Sequence, residues 1–268
     1  MRLRAITALF FVIVMVGSML LGRYVFAGFF VLLSGYCLNE FYRIVADDSA
    51  RPQRSAGLLL GVSGFALVAA SELTGLDSRQ LLLLVPLAIA VFIIPLYQKQ
   101  GKPFGGIGLT LLGVVYVVLP FIAFFFLGFV SGTYDYRLPL GFMLILWGND
   151  TGAYLAGKFL GKHRLFERIS PNKTWEGFVG GVLLALVTAL VLAHYFPVLV
   201  RWQWLGMALV ISLFGTFGDL VESMLKRSQQ VKDSGAVLPG HGGLLDRFDG
   251  LLFAAPAVLV FLEWVYNL

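Results

Sequence analysis

What most constrains this chain is a succession of unbroken apolar runs, each long enough to cross a lipid bilayer. A crossing helix takes about 20 predominantly apolar residues. Reading for such runs between charges gives nine, at residues 5–22, 24–42, 56–74, 79–97, 107–130, 138–157, 176–196, 203–221 and 250–267. Hydrocarbon offers backbone amides no partner, so a spanning segment is a helix or part of a closed barrel. Continuous apolarity, without the alternation of a barrel strand, selects helices.

Composition agrees. Of 268 residues, 59% are hydrophobic and 13% charged, where a soluble domain carries about 25% charged residues. A water-soluble globule, a disordered chain and a disulfide scaffold are excluded. The one cysteine, Cys37, sits in an apolar run and reads as a small buried hydrophobe. The expected fold is an all-α polytopic membrane protein of nine transmembrane helices forming a single integral membrane domain over residues 1–268. The first run follows Arg2 and Arg4 but has no small-x-small cleavage site, so it reads as a retained anchor.

Sorting the cations by loop sets an expected orientation. With the N-terminus in the cytoplasm, only Arg23, Arg79, Arg137 and Arg201 fall outside, and the remaining Lys and Arg lie within, as the positive-inside rule requires. An odd number of spans then leaves the C-terminus on the outer side. Trp202, Trp204, Trp264 and Tyr266 are expected at the outer interface as an aromatic belt. The net charge of +5 follows from this topology, so it argues for anionic lipid headgroups as the counter-surface and not for nucleic acid.

Against so apolar a background, polar clusters stand out. A carboxylate inside a spanning helix costs on the order of 2.5–3.5 kcal/mol on insertion scales. Asp150 is such a group. In the segment Trp147-Gly-Asn-Asp-Thr-Gly-Ala-Tyr-Leu-Ala-Gly-Lys158, Asp150, Tyr154 and Lys158 share a helix face, and Gly148, Gly152 and Gly157 permit close helix packing. The segment Ser170-Pro-Asn-Lys-Thr-Trp-Glu-Gly177 reads two ways. Asn172, Lys173 and Thr174 can hold a phosphate at a helix N-terminus; equally, Ser-Pro opens a turn, Thr174 caps the next helix and Lys173 is a positive-inside residue.

The end of the eighth run is more pointed. Asp219, Glu222, Ser223 and Lys226 fall at i, i+3, i+4 and i+7, on one face if the helix continues. Paired carboxylates repel unless a cation sits between them, and oxygen-only ligands suit a hard cation such as magnesium shared with substrate phosphates. Beyond them come Arg227, Lys232, Asp233, the glycine-rich stretch Pro239-Gly-His-Gly-Gly243, and Asp246, Arg247 and Asp249 at the start of the ninth run. Gly242 and Gly243 let backbone amides approach an anion. His241 can be a phosphate donor, a general base or a metal ligand. His163 and His194 have no partner pattern. Zinc spacings, a serine elbow and a Walker A loop are absent from the sequence.

The run Ser223-x-Leu225-Lys226-Arg227-x4-Lys232-Asp233-x-Gly235-x2-Leu238-Pro239-x-His241-Gly242-Gly243-Leu244-x-Asp246-Arg247-x-Asp249 resembles the signature of the phosphatidate cytidylyltransferases, the CDP-diacylglycerol synthases, over its whole length. The Asp150 and Ser170–Gly177 segments resemble family segments too, so the likeness covers roughly the C-terminal half. The resemblance implies CMP transfer from CTP to phosphatidate, giving CDP-diacylglycerol and pyrophosphate, by a homodimer in a bacterial inner membrane with its site facing the cytoplasm. It implies Mg2+ and a second cation, K+ or another Mg2+. Asp219 and Asp246 are the leading metal ligands, followed by Asp249, Asp150 and Glu222. Lys226 and Arg227 join Asp219 and Asp246 as catalytic candidates. Asn172, Lys173, Ser223, Lys232, Asp233, His241, Gly242, Gly243 and Arg247 are the candidates for holding substrate. On this reading residues 138–268 form the catalytic region, in a cavity between the sixth, eighth and ninth spans, and residues 1–130 are helices of less certain role. The alternatives are a cation transporter or channel lined by Asp150 and Asp219, or another CTP-using lipid enzyme such as a polyprenol kinase.

Overall fold

The computed structural model describes residues 2–47, 50–98, 102–235 and 242–266; His241 lies outside them. The chain divides into two compact units, Met1–Phe125 with Val231–Arg247, and Phe126–Gln230 with Phe248–Leu268.

The first unit holds α1 (Arg2–Leu20), α2 (Arg23–Ile44), α3 (Arg54–Thr74), α4 (Leu84–Ile93), α5 (Pro103–Gly113) and α6 (Leu119–Leu127). Turns of 3-10 helix extend α4 over Ser78–Tyr97, and a π-turn at Val114–Val118 joins α5 to α6. Its core is aromatic. Phe26, Phe30, Phe121 and Phe124 are fully buried, and the Phe30 ring centroid lies 4.9 Å from those of Phe26 and Phe124. Long-range hydrogen bonds cross its interior. The Tyr42 hydroxyl donates to the Thr110 carbonyl at 2.7 Å, and the Gln53 amide donates to the Thr110 hydroxyl at 2.8 Å. Cys37 is buried, as expected of a small hydrophobe.

The second unit holds α7 (Arg137–Leu160), a hairpin of β1 (Arg164–Phe166) and β2 (Ser170–Thr174), then α8 (Trp175–Tyr195), α9 (Arg201–Ser228) and α10 (Asp249–Val265). Asp135 fixes the entry to α7 by accepting from the Arg137 amide and guanidinium. Burial pushes the Asp135 carboxyl up, but the hydrogen bonds and charge of Arg137 outweigh it and hold the group below its usual range. Helices α7 and α8 meet at small residues. A Cβ at Gly152 would come within 2.5 Å of the Gly180 carbonyl, so only glycine allows the approach. Another side of α8 is apolar and open, with Val179, Leu183 and Val187 each more than half exposed at i, i+4 and i+8. Such a stripe suits lipid.

Among the described residues, six helices are long and apolar enough to cross a membrane: Arg23–Ile44, Arg54–Thr74, Ser78–Tyr97, Pro103–Leu127, Trp175–Tyr195 and Arg201–Ser228. They coincide with six of the nine apolar runs. The other three runs fall on α1, α7 and α10. Of these, α7 is more polar and α10 has 17 residues.

The segment between α7 and α8 is a small two-stranded hairpin in an otherwise helical chain, which fits the all-α membrane fold expected. One expectation is corrected. Trp204, expected in an exposed aromatic belt, is fully buried in protein, its indole N–H donating to the Phe196 carbonyl at 3.2 Å while its ring lies against Gly141. An internal carbonyl satisfied the indole where a headgroup was expected to. Trp202 and Trp264 are exposed.

Candidate active site

The site in the second unit begins with α9. The helix runs to Ser228, seven residues beyond the apolar run, because its last two turns carry a polar face that needs no hydrocarbon. Asp219, Glu222, Ser223 and Lys226 therefore share one face. The Ser223 hydroxyl donates to Asp219 Oδ1 at 3.3 Å, and Lys226 Nζ donates to Glu222 Oε2 at 2.9 Å. Glu222 is 1% exposed, so this charge pair stands away from water.

Helix α10 completes the acid group. At the crossing of α9 and α10, a Cβ on Gly218 would run into the Asp249 carbonyl, and the Gly215 and Gly250 backbones are also close. That approach places Asp249, the first residue of α10, beside α9. The carboxylates of Asp219, Glu222 and Asp249 offer oxygens that all lie within 4.8 Å of one another. Three oxygen donors at this spacing fit a hard divalent cation, whose charge would relieve their mutual repulsion.

Next to the acids lies a cavity of about 250 Å3, lined among others by Asn149, Asp150, Tyr154, Asn172, Lys173 and Asp219. Its walls are α7, the hairpin, α8 and α9. The sequence placed the cavity between the sixth, eighth and ninth spans; the hairpin and α8 are the walls it missed, while α10 supplies Asp249 to the acid group. Lys173, on β2, forms an ion pair with Asp219. Lys158 stands over the Tyr154 ring, 5.8 Å from its centroid, at the end of the face that begins with Asp150.

The hairpin that carries Asn172 and Lys173 is fastened by residues the sequence did not single out. Glu176 accepts from the backbone amides of Lys162 and His163 at 3.1 and 3.2 Å, and its other oxygen meets His163 Nδ1 at 2.6 Å. Thr174 caps α8 by accepting from the Gly177 amide, which is one of the two readings of that segment. A capping box puts its carboxylate three residues past the cap; Glu176 is two past Thr174 and reaches back to another segment, so no local pattern announces this clasp. Replacing Glu176 with alanine is expected to loosen Lys173 and lower catalytic efficiency about 10-fold, since small misplacements of a binding group are costly. Steady-state kinetics of the folded variant check this.

A second cavity of about 230 Å3 adjoins the first. It is lined by apolar groups including Phe166, Trp175, Leu213, Phe217 and Leu220, and the two cavities have Leu165, Phe178 and Thr216 in common.

The remaining signature residues are placed as follows. Arg227 is exposed at the end of α9. In the first unit, Lys232 and Asp233 are exposed, and Asp246 Oδ2 accepts from the amides of Ser234 and Gly243 at 2.9 and 2.8 Å. Gly242 has a left-handed backbone, φ 76°, that favours glycine. Arg247 is exposed.

Helices long and apolar enough to cross a membrane, a cluster of acids that could hold a metal ion and a polar cavity beside an apolar one define an integral membrane protein with a charged site. The comparisons make the class specific. The chain belongs to the cytidylyltransferase family, whose model matches residues 2–265, and it is accordingly a CTP-using nucleotidyltransferase. It is 36% identical over 265 residues to the phosphatidate cytidylyltransferase of Staphylococcus aureus (strain COL), covering 98% of this chain and 99% of that protein. The phosphatidate cytidylyltransferases of Staphylococcus epidermidis (strain RP62A) and Staphylococcus saprophyticus are each 33% identical, again over 98% and 99% of the two chains.

Proposed function

We propose that this member of the family transfers CMP from CTP to phosphatidate in the cavity of the second unit. The observation that carries the reading is the junction of the two cavities, with a lysine and carboxylates in one and apolar walls in the other. The substrates divide in the same way, into phosphates and acyl chains.

A phosphate oxygen of phosphatidate attacks the α-phosphorus of CTP as the bond to the bridging oxygen of the β-phosphate breaks, giving CDP-diacylglycerol and pyrophosphate. The second ionisation of a phosphate monoester lies near pH 6, so the nucleophile needs no general base. The chain's work is positioning and charge. Lys173 and Asn172 face the phosphates from the hairpin, and Lys226 balances Glu222. Asp219, Glu222 and Asp249 would hold Mg2+, with Asp150 near enough to the cavity to serve a second cation, K+ or another Mg2+. A bound cation would neutralise charge on the nucleophilic and leaving phosphates. The apolar cavity receives the start of the acyl chains.

By their place in the signature, Asp246 as a metal ligand and Arg227, Lys232, Asp233, His241, Gly242, Gly243 and Arg247 as phosphate-binding or catalytic groups belong to the same proposal. So do the single domain of nine spans, its orientation, the homodimer and the inner membrane with the site facing the cytoplasm.

The test uses purified chain in detergent micelles with phosphatidate, Mg2+ and CTP labelled at the α-phosphate. Label is expected in the lipid phase with equimolar pyrophosphate, and none after chelation of the metal. Transfer of a γ-label to lipid instead would identify a kinase and overturn the proposal.

A further inference from the structure

Asp150 is not the only carboxylate inside an apolar run. Glu40, in the last turns of α2, is 1% exposed. Its Oε2 accepts from the Leu245 amide at 2.8 Å and from the Ser234 hydroxyl at 3.3 Å, across 205 and 194 residues of sequence. Both ends of the glycine-rich signature segment are thus held by one oxygen of one side chain. The backbone closes around that carboxylate. A Cβ at Gly235 would come within 2.5 Å of Glu40 Oε1, and one at Gly243 within 2.9 Å of Oε2. Ser234 then links Glu40 to Asp246, because its hydroxyl donates to the first and its amide to the second.

We propose that Glu40 is a positioning residue for the reaction, clasping Ser234 and Leu245 so that Asp246 is presented in one orientation. The inference rests on the function proposed above, in which Asp246 is a metal ligand. A buried carboxylate in a spanning helix is costly, and donors from two ends of one segment repay that cost only when the segment is closed. Groups that orient a metal ligand typically change metal affinity or activity by about 10–100-fold when removed. Glutamine can keep both acceptor contacts through its carbonyl oxygen, whereas alanine keeps neither.

The experiment compares full-length wild type, Glu40→Ala, Glu40→Gln and Ser234→Ala in micelles. It reads kcat, KM for CTP, the Mg2+ concentration giving half-maximal rate, and hydrogen exchange of the peptide carrying Gly243, Leu245 and Asp246. For Glu40→Ala the half-maximal Mg2+ concentration is expected to rise, and kcat to fall, by about 10-fold or more while KM for CTP stays within about threefold. Glu40→Gln restores near wild-type behaviour. Ser234→Ala shifts the Mg2+ requirement in the same direction by less, and it carries the test if Glu40→Ala does not fold. A folded Glu40→Ala with wild-type kcat and Mg2+ requirement, an unmoved Ser234→Ala, or a Glu40→Gln as impaired as the alanine variant overturns the inference. If the wild type makes no lipid product, the proposed function fails. The catalytic role of Glu40 fails with it, and exchange alone, faster in Glu40→Ala or unchanged, then tells whether Glu40 clasps the segment.

Discussion

Asp219→Asn is expected to reduce CMP transfer about 1000-fold, because metal stabilisation of phosphate charge is worth several kcal/mol and each 1.36 kcal/mol is a factor of ten. Asp219 is where the interactions of the site converge. It contributes an oxygen to the group with Glu222 and Asp249, pairs with Lys173 from the hairpin, and accepts from Ser223. Asparagine keeps the size of the side chain and the packing of α9, so stability should change little while the charge that pairs with Lys173 and would hold a cation is lost. The measurement is initial rate against Mg2+ concentration with labelled CTP, alongside the thermal unfolding midpoint in detergent. Raising Mg2+ should not restore the rate, since a neutral amide is a poor ligand for a hard cation. A variant retaining more than a tenth of wild-type activity would show that the acid group is not where the metal acts. Lys173→Ala offers the complementary comparison, as it removes the other half of the ion pair and leaves the three carboxylates in place.

The parts of this architecture that depend on local sequence were legible, and the parts that depend on one element meeting another were not. Apolar runs announce spanning helices because the bilayer sets their length. The face of Asp219, Glu222, Ser223 and Lys226 could be read from helical period alone, and α9 continues to Ser228 as that face requires. Asp249 was a candidate through its position, but its meeting with Asp219 and Glu222 depends on the bare backbone of Gly218. The hairpin has no signature in the sequence because three- and five-residue strands have no distinct pattern, and what fastens them is Glu176 reaching back to Lys162 and His163. Trp204 shows the converse error. An indole near the end of a run suits an interface, yet a carbonyl at Phe196 served it inside. Glu40 went unread even though it lies within the run 24–42, where the rule that marked Asp150 applies equally. Its partners are some two hundred residues away, and no local pattern points to them.

The crossing of α9 and α10 carries the second large expectation. Gly218→Val is expected to destabilise the protein by about 1–3 kcal/mol, the usual cost of overpacking a close contact, and to abolish CMP transfer as well. The obstacle is backbone: any Cβ at Gly218 meets the Asp249 carbonyl, which has no rotamer by which to move aside. Gly250 lies beside both Gly215 and Gly218, so the helices cannot slide to a neighbouring register without meeting a second contact. To accept valine, α10 must move away from α9 and take Asp249 with it, opening the group of three carboxylates. Stability and chemistry therefore fall together, whereas Asp219→Asn loses chemistry alone. The unfolding midpoint and the half-maximal Mg2+ concentration, measured on both variants, separate the two cases. A folded Gly218→Val enzyme with a wild-type Mg2+ requirement would mean that Asp249 is dispensable for the cation, and Asp219 and Glu222 would then have to hold it without α10.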